Sequence, residues 1–264
     1  MAFARFVKPA GGWRWAVLGA IAGIVLALVA YMPAYWLTAA LRSASGDHLR
    51  LLNARGTVWN GSATVVLASG TKGTEAVVLP GRVGWHLRPH WGSLDIALDL
   101  PCCAAQPIRL LAVTTSEGVR IVWHDSRSVW PAAMLAGLGT PWNTLRLEGL
   151  LALQTESFIT QWQGAQLRLM GRVTLDATEM SSRLSTLKPL GSYQLVVEGE
   201  SASSLLLTTQ ADSSLLLEGS GRWTGTALHF NGTASAAPGR EEVLSNLLNI
   251  VGRRQGARSI ITLG

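Results

Sequence analysis

The feature that most constrains this chain is a stretch without any charged side chain, which extends from Trp15 to Leu41. A helix that crosses the apolar core of a bilayer needs about 20 apolar residues, and the run after Trp15 supplies them. Pro33 is expected to kink or end this helix near its second interface. Aromatic residues, which favour the two bilayer interfaces, lie near both ends of the stretch: Trp13, Trp15, Tyr31, Tyr35 and Trp36. The sequence therefore predicts a transmembrane anchor over residues 15–41.

The flanking charges predict the side of the membrane on which each part lies. Arg5, Lys8 and Arg14 precede the anchor without any acidic residue, and positive charge resists translocation. We expect residues 1–14 to form a cytoplasmic N-terminus and residues 42–264 to lie in the periplasm, outside a bacterial inner membrane. A cleaved signal peptide is one alternative, although its apolar core of about 7–15 residues would be shorter. A buried helix of a soluble protein is the other, and the interfacial aromatics argue against it.

The charge balance bears on the kind of partner. Charged residues make up 14% of the chain, against about 25% in a typical soluble domain. A low charge with many apolar residues excludes a disordered protein. Three of the 22 basic residues precede the anchor, so 19 basic and all 16 acidic residues follow it, a net charge of +3. Nucleic-acid binding needs a clustered basic surface, so no nucleic-acid partner is expected.

Beyond the anchor, apolar and polar residues alternate with the period of two that is typical of β-strands. The clearest alternation covers residues 145–153, and similar runs cover 167–175 and 193–197. Alternation of this kind is typical of antiparallel sheets with one dry face. We therefore expect a mainly β fold, with a curved open antiparallel sheet, in one periplasmic domain over residues 42–264. Two subdomains divided near residues 125–145 are the alternative.

Two or three short helices are predicted among the strands, at residues 130–137, 180–187 and 243–251. The first has Pro131 in its first turn and a glycine at its end. The second places three apolar residues at helical spacing. The third follows acidic residues and precedes basic ones, which complements the helix dipole. Residues 259–263 are expected to return as a terminal strand.

A tryptophan beside a glycine-bearing turn recurs in three segments, GTVWNGSAT (56–64), GRVGWH (81–86) and GRWTGTA (221–227). In the first segment Asn60 and Gly61 predict a type I′ hairpin turn, because both residues tolerate positive φ angles. Since exposed indoles are able to bind a protein, a glycan or a lipid, the three tryptophans are the candidate partner contacts: Trp59, Trp85 and Trp223. The alternative is that these indoles pack in the core.

The sequence predicts no catalytic, cofactor-binding or metal-ligating residue, and therefore no enzyme. His86 and His90 are four residues apart, but no third ligand is near, and zinc requires three or four. Asp95 and Asp99 share a strand face and are interpreted as solvated carboxylates. The chain contains no G-x-S-x-G elbow, no P-loop and no G-x-G-x-x-G in a βαβ context.

Cys102 and Cys103 are adjacent in a part of the chain that is expected to lie in an oxidising compartment. Three states remain open for them: a strained disulfide between neighbours, an intermolecular bridge, and two free buried thiols. Their spacing is not C-x-x-C, so redox activity of the thioredoxin type is not expected. We expect a structural or incidental role.

Several segments, in this order and after a short basic N-terminus with a single anchor, resemble the type II secretion system protein N family, also called general secretion pathway protein N. The segments are 54–63, 79–89, 138–151, 181–195 and 228–264. The resemblance implies an inner-membrane component that assists export of folded proteins from the periplasm across the outer membrane. It implies contacts with other subunits of the inner-membrane platform, no enzymatic activity and no cofactor. The Cys102–Cys103 pair departs from the family pattern.

A protein of another class has a similar layout. AsmA-like proteins, which handle or bridge envelope lipids, also combine an anchor with an elongated β-sheet. A lipid groove would leave one apolar face of the sheet uncovered, and such faces are rare on soluble monomers. Envelope lipid handling is therefore the alternative function.

Overall fold

The structure is a computed structural model that describes residues 12–68, 76–200 and 203–264. Residues 1–11, which include the predicted cytoplasmic charges Arg5 and Lys8, lie outside the described residues. The helices are Gly12–Ala30 (α1), Tyr35–Ala44 (α2), Trp142–Leu145 (α3) and Glu241–Val251 (α4), with a 3-10 helix over Ala132–Leu138. The strands are Leu49–Gly56 (β1), Asn60–Ala68 (β2), Ala76–Val78 (β3), Val83–His90 (β4), Ser93–Asp99 (β5), Ile108–Thr115 (β6), Gly118–Trp123 (β7), Ser126–Pro131 (β8), Leu147–Gln163 (β9), Gln166–Ser182 (β10), Gly191–Gly199 (β11), Ser203–Thr209 (β12), Leu215–Trp223 (β13), Leu228–Ala236 (β14), Arg253–Gln255 (β15) and Arg258–Leu263 (β16).

The strands form one antiparallel sheet in which most neighbours in sequence are also neighbours in space. Its order is β1-β2-β4-β5-β6-β7-β9-β10-β11-β12-β13-β14-β16-β15, with β3 beside β2 and β8 beside β9. Strand β9 pairs with β8 along its first half and with β7 along its second half, so the sheet is continuous across residues 125–145. The prediction of a mainly β, open antiparallel fold is confirmed.

The uncharged stretch is divided between two helices. Helix α1 is the one described helix that is long and apolar enough to cross a membrane, over Trp13–Ala30, and none of that window is buried. The helix ends at Ala30, and Pro33, which has no N–H for a helical ladder, forms an isolated bridge with Thr57. Residues predicted as the end of the anchor instead form α2, which packs against β1. The predicted single segment 15–41 is therefore longer than the helix that the structure has.

Helix α2 is fixed to the sheet by its last turn. Arg42 donates a hydrogen bond to the carboxylate of Asp47, and this bond lowers the pKa of that carboxyl. The carboxylate also lies 3.7 Å from the guanidinium Nε of Arg50 at the start of β1. The carboxylate of Asp47 in the turn between α2 and β1 is thus paired with one arginine from each of these elements.

The core lies on the apolar face of the sheet and is largest near the C-terminus. There α4 packs three fully or almost fully buried leucines, Leu244, Leu247 and Leu248, against β13 and β14. A neighbouring cluster contains Tyr193, whose hydroxyl donates to the carbonyl of Leu215 at 3.0 Å. Burial of this phenol raises its pKa. Helix α4 and the terminal strand β16 confirm two of the sequence predictions.

The predicted helix over residues 180–187 is wrong. Strand β10 continues to Ser182, and its register shifts between Thr178 and Ser181, where Glu179 has a φ of 52°. The bulge changes which side chains face the core, so that Met180 is buried beside Tyr193. Three apolar residues at helical spacing arise here from a bulged strand and the turn that follows it. The first predicted helix, at 130–137, corresponds instead to the end of β8 and the 3-10 helix.

The predicted turn at Asn60 and Gly61 is also wrong in position. Both residues begin β2, and the turn is formed by residues 57–59. A Cβ on Gly61 would lie 2.5 Å from the Cζ2 atom of Trp85 and 2.6 Å from the carbonyl oxygen of Arg55. The glycine is therefore required by the close approach of an indole ring and not by a positive φ angle.

Candidate functional site

The candidate partner contacts share one feature. The indole N–H of each of the three tryptophans donates to a backbone carbonyl that is distant in sequence, at 2.6 to 3.2 Å. Buried or half-buried indoles usually find such a partner. The three side chains therefore fasten the fold at three places, which are described in turn.

Trp85 lies in the core and not on the surface. It is 3% exposed, packs with Ala34 and Ala63, and donates to the carbonyls of Thr57 and Val58. The expectation that Trp85 contacts a partner is therefore corrected, because the β1–β2 turn and α2 cover the indole. The alternative that this indole packs in the core applies at this position.

Trp59 joins the β1–β2 turn to helix α1. Its indole N–H donates to the carbonyl of Val29, one residue before the end of α1, at 2.7 Å. The backbone N–H of Val58 donates to Met32 at 2.8 Å, and that of Ala34 to Gly56 at 3.1 Å. The end of α1 is thus attached directly to this turn of the sheet.

Trp223 draws together strands that are not neighbours. Its indole N–H donates to the carbonyl of Leu167 in β10 at 2.6 Å, and the N–H of Leu167 donates to Gly225 at 2.8 Å. Strands β11 and β12 lie between β10 and β13 in the sheet, so the sheet must curl strongly here to allow the contact. Trp223 itself stays half-buried, with part of its ring accessible.

The two outer edges of the sheet differ in how suitable they are for pairing with an added strand. Strand β15 covers only the first three residues of β16, so within the described residues no strand lies beside the outer edge of Ile261–Leu263. At the other edge β1 has a register shift between Leu52 and Arg55, with Asn53 at a φ of 52°. Bulges make an edge a poorer template for strand addition. The last three residues of β16 are therefore the more suitable pairing edge.

A shallow depression lies over strands β10 to β14, with a volume of about 710 Å³. Arg172 and Glu198 form an ion pair in its wall, and most of its other side chains are polar, among them Ser204, Arg222, His229 and Asn231. Val196, Leu205 and Leu206 complete the lining, which is therefore mixed in character.

The groups considered for chemistry form one pair on the β4–β5 hairpin, between His90 and Asp95. The described residues contain no group of three or more His, Cys, Asp or Glu side chains that is able to hold a metal ion. His86, His90 and Asp95 share the polar face of the β4–β5 hairpin, where the Nε2 atom of His90 is 2.9 Å from a carboxylate oxygen of Asp95. Asp99 is exposed at the end of β5.

Cys102 and Cys103 form a disulfide between β5 and β6. Cys103 is buried against Leu79, Val83 and Leu100, while its carbonyl accepts a hydrogen bond from Val129 at 2.7 Å. Of the three states that the sequence left open, the structure has the disulfide between neighbours. The disulfide lies in the loop between β5 and β6, where that loop packs against β8.

Trp91 is an exposed aromatic residue that the sequence pattern did not single out. It occupies the tip of the β4–β5 hairpin and is fully exposed. The sequence contains a partial signal for this residue, because Trp91 precedes Gly92 as Trp223 precedes a glycine-bearing turn. The segment around Trp91 does not share the rest of the repeated pattern.

The comparison with protein families covers the antiparallel sheet described above. The model of the family described as type II secretion system (T2SS), protein N, matches residues 47–261, which include the sixteen described strands except the last two residues of β16. No curated protein and no solved structure gives a significant match. Because the family match covers most of the chain, the protein belongs to the type II secretion system protein N family.

Proposed function

We propose that this protein is an inner-membrane component of the type II secretion system, with its N-terminus in the cytoplasm and its β-sheet in the periplasm. The observation that carries the proposal is the family match over residues 47–261. Helix α1 supports the anchoring, because 18 residues at about 1.5 Å each span about 27 Å, close to the apolar thickness of a bilayer. The basic residues before α1 support the orientation.

The protein acts in this proposal through contacts with other subunits of the inner-membrane platform. The exposed edge of β16 is suited to accept a strand, since main-chain hydrogen bonds then continue the sheet. The hairpin ends that carry Trp59 and Trp223 provide additional contact surface, with half-buried indoles at their base. Trp85 is not among these contacts because it is buried.

Loss of the gene is expected to trap secreted hydrolases in the periplasm. The measurement is hydrolase activity in the medium and in the periplasmic fraction of a deletion strain, with detergent sensitivity of the outer membrane as a control. Accumulation in the periplasm with a sound outer membrane supports the secretion role. Normal secretion with a detergent-sensitive envelope would contradict it and indicate the lipid-handling function instead.

A photoreactive amino acid at Thr262 or Trp223 is expected to capture another secretion-system subunit in living cells. Thr262 is exposed on the β16 edge. The matched control is Ala211, which is exposed in the turn between β12 and β13 and belongs to neither contact surface. The crosslinked subunit is identified by mass spectrometry. Equal capture from all three positions, or none from the first two in a secreting strain, would argue against these contacts.

A further inference from the structure

The tip of the β4–β5 hairpin presents a tryptophan whose indole contacts almost nothing in its own chain. Trp91 is fully exposed, and the flanking residues Arg88, Pro89 and His90 are exposed as well. The tip is nevertheless rigidly held, because the backbone N–H and the hydroxyl of Thr114 in β6 both donate to the carbonyl of Gly92. An exposed indole on a fixed turn is a costly arrangement in water, since the ring carries a large apolar surface.

The register of the strands places this tip on the side of the sheet from which α1 arrives. Strand β2 begins beside the end of α1, where Trp59 donates to Val29, and runs away from it. Strand β4 runs in the opposite direction and pairs His86 with Asn60 at the start of β2. The last contact between them is the hydrogen bond that the N–H of Leu87 donates to the carbonyl of Trp59. From Leu87 onward the hairpin extends past the β1–β2 turn.

The length of this extension exceeds the thickness of one bilayer interface. Trp91 at the tip is four residues beyond Leu87, which contacts Trp59, and four steps of about 3.3 Å extend about 13 Å. The polar layer on each side of a bilayer core is roughly 5–8 Å deep. A hairpin that passes the end of a membrane-spanning helix by this distance is long enough to reach into the lipid headgroups beside that helix.

The aromatic side chains after α1 and at the tip have the chemistry that the interface selects. Tyr31, Tyr35 and Trp36, which follow α1, are 54% to 78% exposed, and Trp91 adds a fourth exposed ring from a different element. Aromatic rings with a polar edge concentrate at the headgroup level. Arg88 supplies a cationic side chain that is able to remain in contact with phosphate while its stem lies against apolar groups.

We propose that the β4–β5 tip is a second membrane contact, in which Trp91 enters the headgroup layer of the leaflet reached by the C-terminal end of α1. The proposal rests on the proposed membrane anchoring by α1. Two points of contact fix the tilt of the sheet relative to the membrane, because the tip adds a second contact to the hydrogen bonds that join the β1–β2 turn to the end of α1. The partner at this tip is a lipid surface and not another subunit.

The test uses the full-length chain in vesicles of phosphatidylethanolamine and phosphatidylglycerol. An environment-sensitive fluorescent amino acid is placed, in separate variants, at Trp91, at Tyr31 beside the end of α1, and at Ala211 at the opposite end of the strands. All three positions are exposed, so the substitutions leave the packing intact. Quenching is measured with lipids that carry bromine near the head of the acyl chains.

Quenching at position 91 is expected to be similar to that at position 31 and several-fold stronger than that at position 211. Strong quenching at 31 with weak quenching at 91 would overturn the second contact while leaving the anchor intact, and this is also the result expected if the tip docks on a protein. Weak quenching at both 31 and 91 would overturn the membrane anchoring itself, and with it the second contact.

Discussion

Replacing Trp85 with alanine is expected to lower the free energy of unfolding by about 3–5 kcal/mol, the usual range for truncating a buried large aromatic residue. The indole is 3% exposed and forms a cluster with Ala34 and Ala63. Alanines do not move to fill the space that the ring leaves, so a large cavity remains. The carbonyls of Thr57 and Val58 also lose their donor, which adds a cost of desolvation without a partner.

Replacing Trp85 is also expected to affect how α1 and α2 are attached to the sheet. The Trp85 cluster joins the sheet to Ala34, the first residue after Pro33. Loss of the ring therefore loosens the attachment of the segment that follows α1 to the sheet. We expect hydrogen exchange in α2 and in the β1–β2 turn to increase more than exchange in β13 and β14, which lie far along the sheet order.

The matched control is Trp91, in the same hairpin. Because Trp91 is fully exposed, Trp91→Ala is expected to change the free energy of unfolding by less than about 0.5 kcal/mol. Both variants are compared in the same detergent by denaturant unfolding, followed by near-ultraviolet circular dichroism. Equal destabilisation by the two substitutions would show that Trp85 does not have the packing role described above.

The contrast between these two tryptophans explains what sequence patterns are able to predict. Trp85 and Trp91 each lie beside a glycine in one strand-turn-strand unit. Their burial differs because Trp85 lies opposite Gly61 and under α2, whereas Trp91 lies at the tip. Local composition predicts a tryptophan near a turn, but burial depends on which segment lies across from it, and that is set by pairing between distant strands.

Elements defined by their own periodicity were predicted well. Helix α4 has its apolar residues on one face and acidic residues at its start, and strand β16 alternates against β14. The open antiparallel sheet follows from one-sided alternation over many strands. These features follow from the order of apolar and polar residues within each segment. They are therefore recognised without knowing which distant strands pair.

The errors lie where a local irregularity interrupts the period. The register shift before Ser181 changes the parity of β10, and the resulting spacing of apolar residues is the same as that of a helix. The glycine in the pair Asn60-Gly61 has two physical uses, a positive φ angle or a close approach, and the sequence does not distinguish them. Only the position of Trp85 across the strand shows that the second use applies.

Replacing Leu248 with alanine is expected to lower the free energy of unfolding by about 2–5 kcal/mol. Leu248 is completely buried, and α4 is held in place beside it by the hydroxyl of Ser259, which donates to the carbonyl of Leu248 at 2.6 Å. The side chain lies in the largest cluster of the protein, with Leu215 and Ala234 of the sheet beneath it. The cavity left by the substitution is therefore enclosed on one side by the sheet and on the other by the helix.

The control for this substitution is Ile250→Ala on the same helix, at a position that is 43% exposed. Both changes shorten an aliphatic side chain by three carbons and alter helix propensity little, so the difference between them measures burial. We expect the Ile250 variant to lose less than about 1 kcal/mol. If α4 also protects the sheet beneath it, then Leu248→Ala, unlike Ile250→Ala, increases hydrogen exchange in β14 and β16. Similar unfolding curves for the two variants would show that α4 does not pack on the sheet through this face.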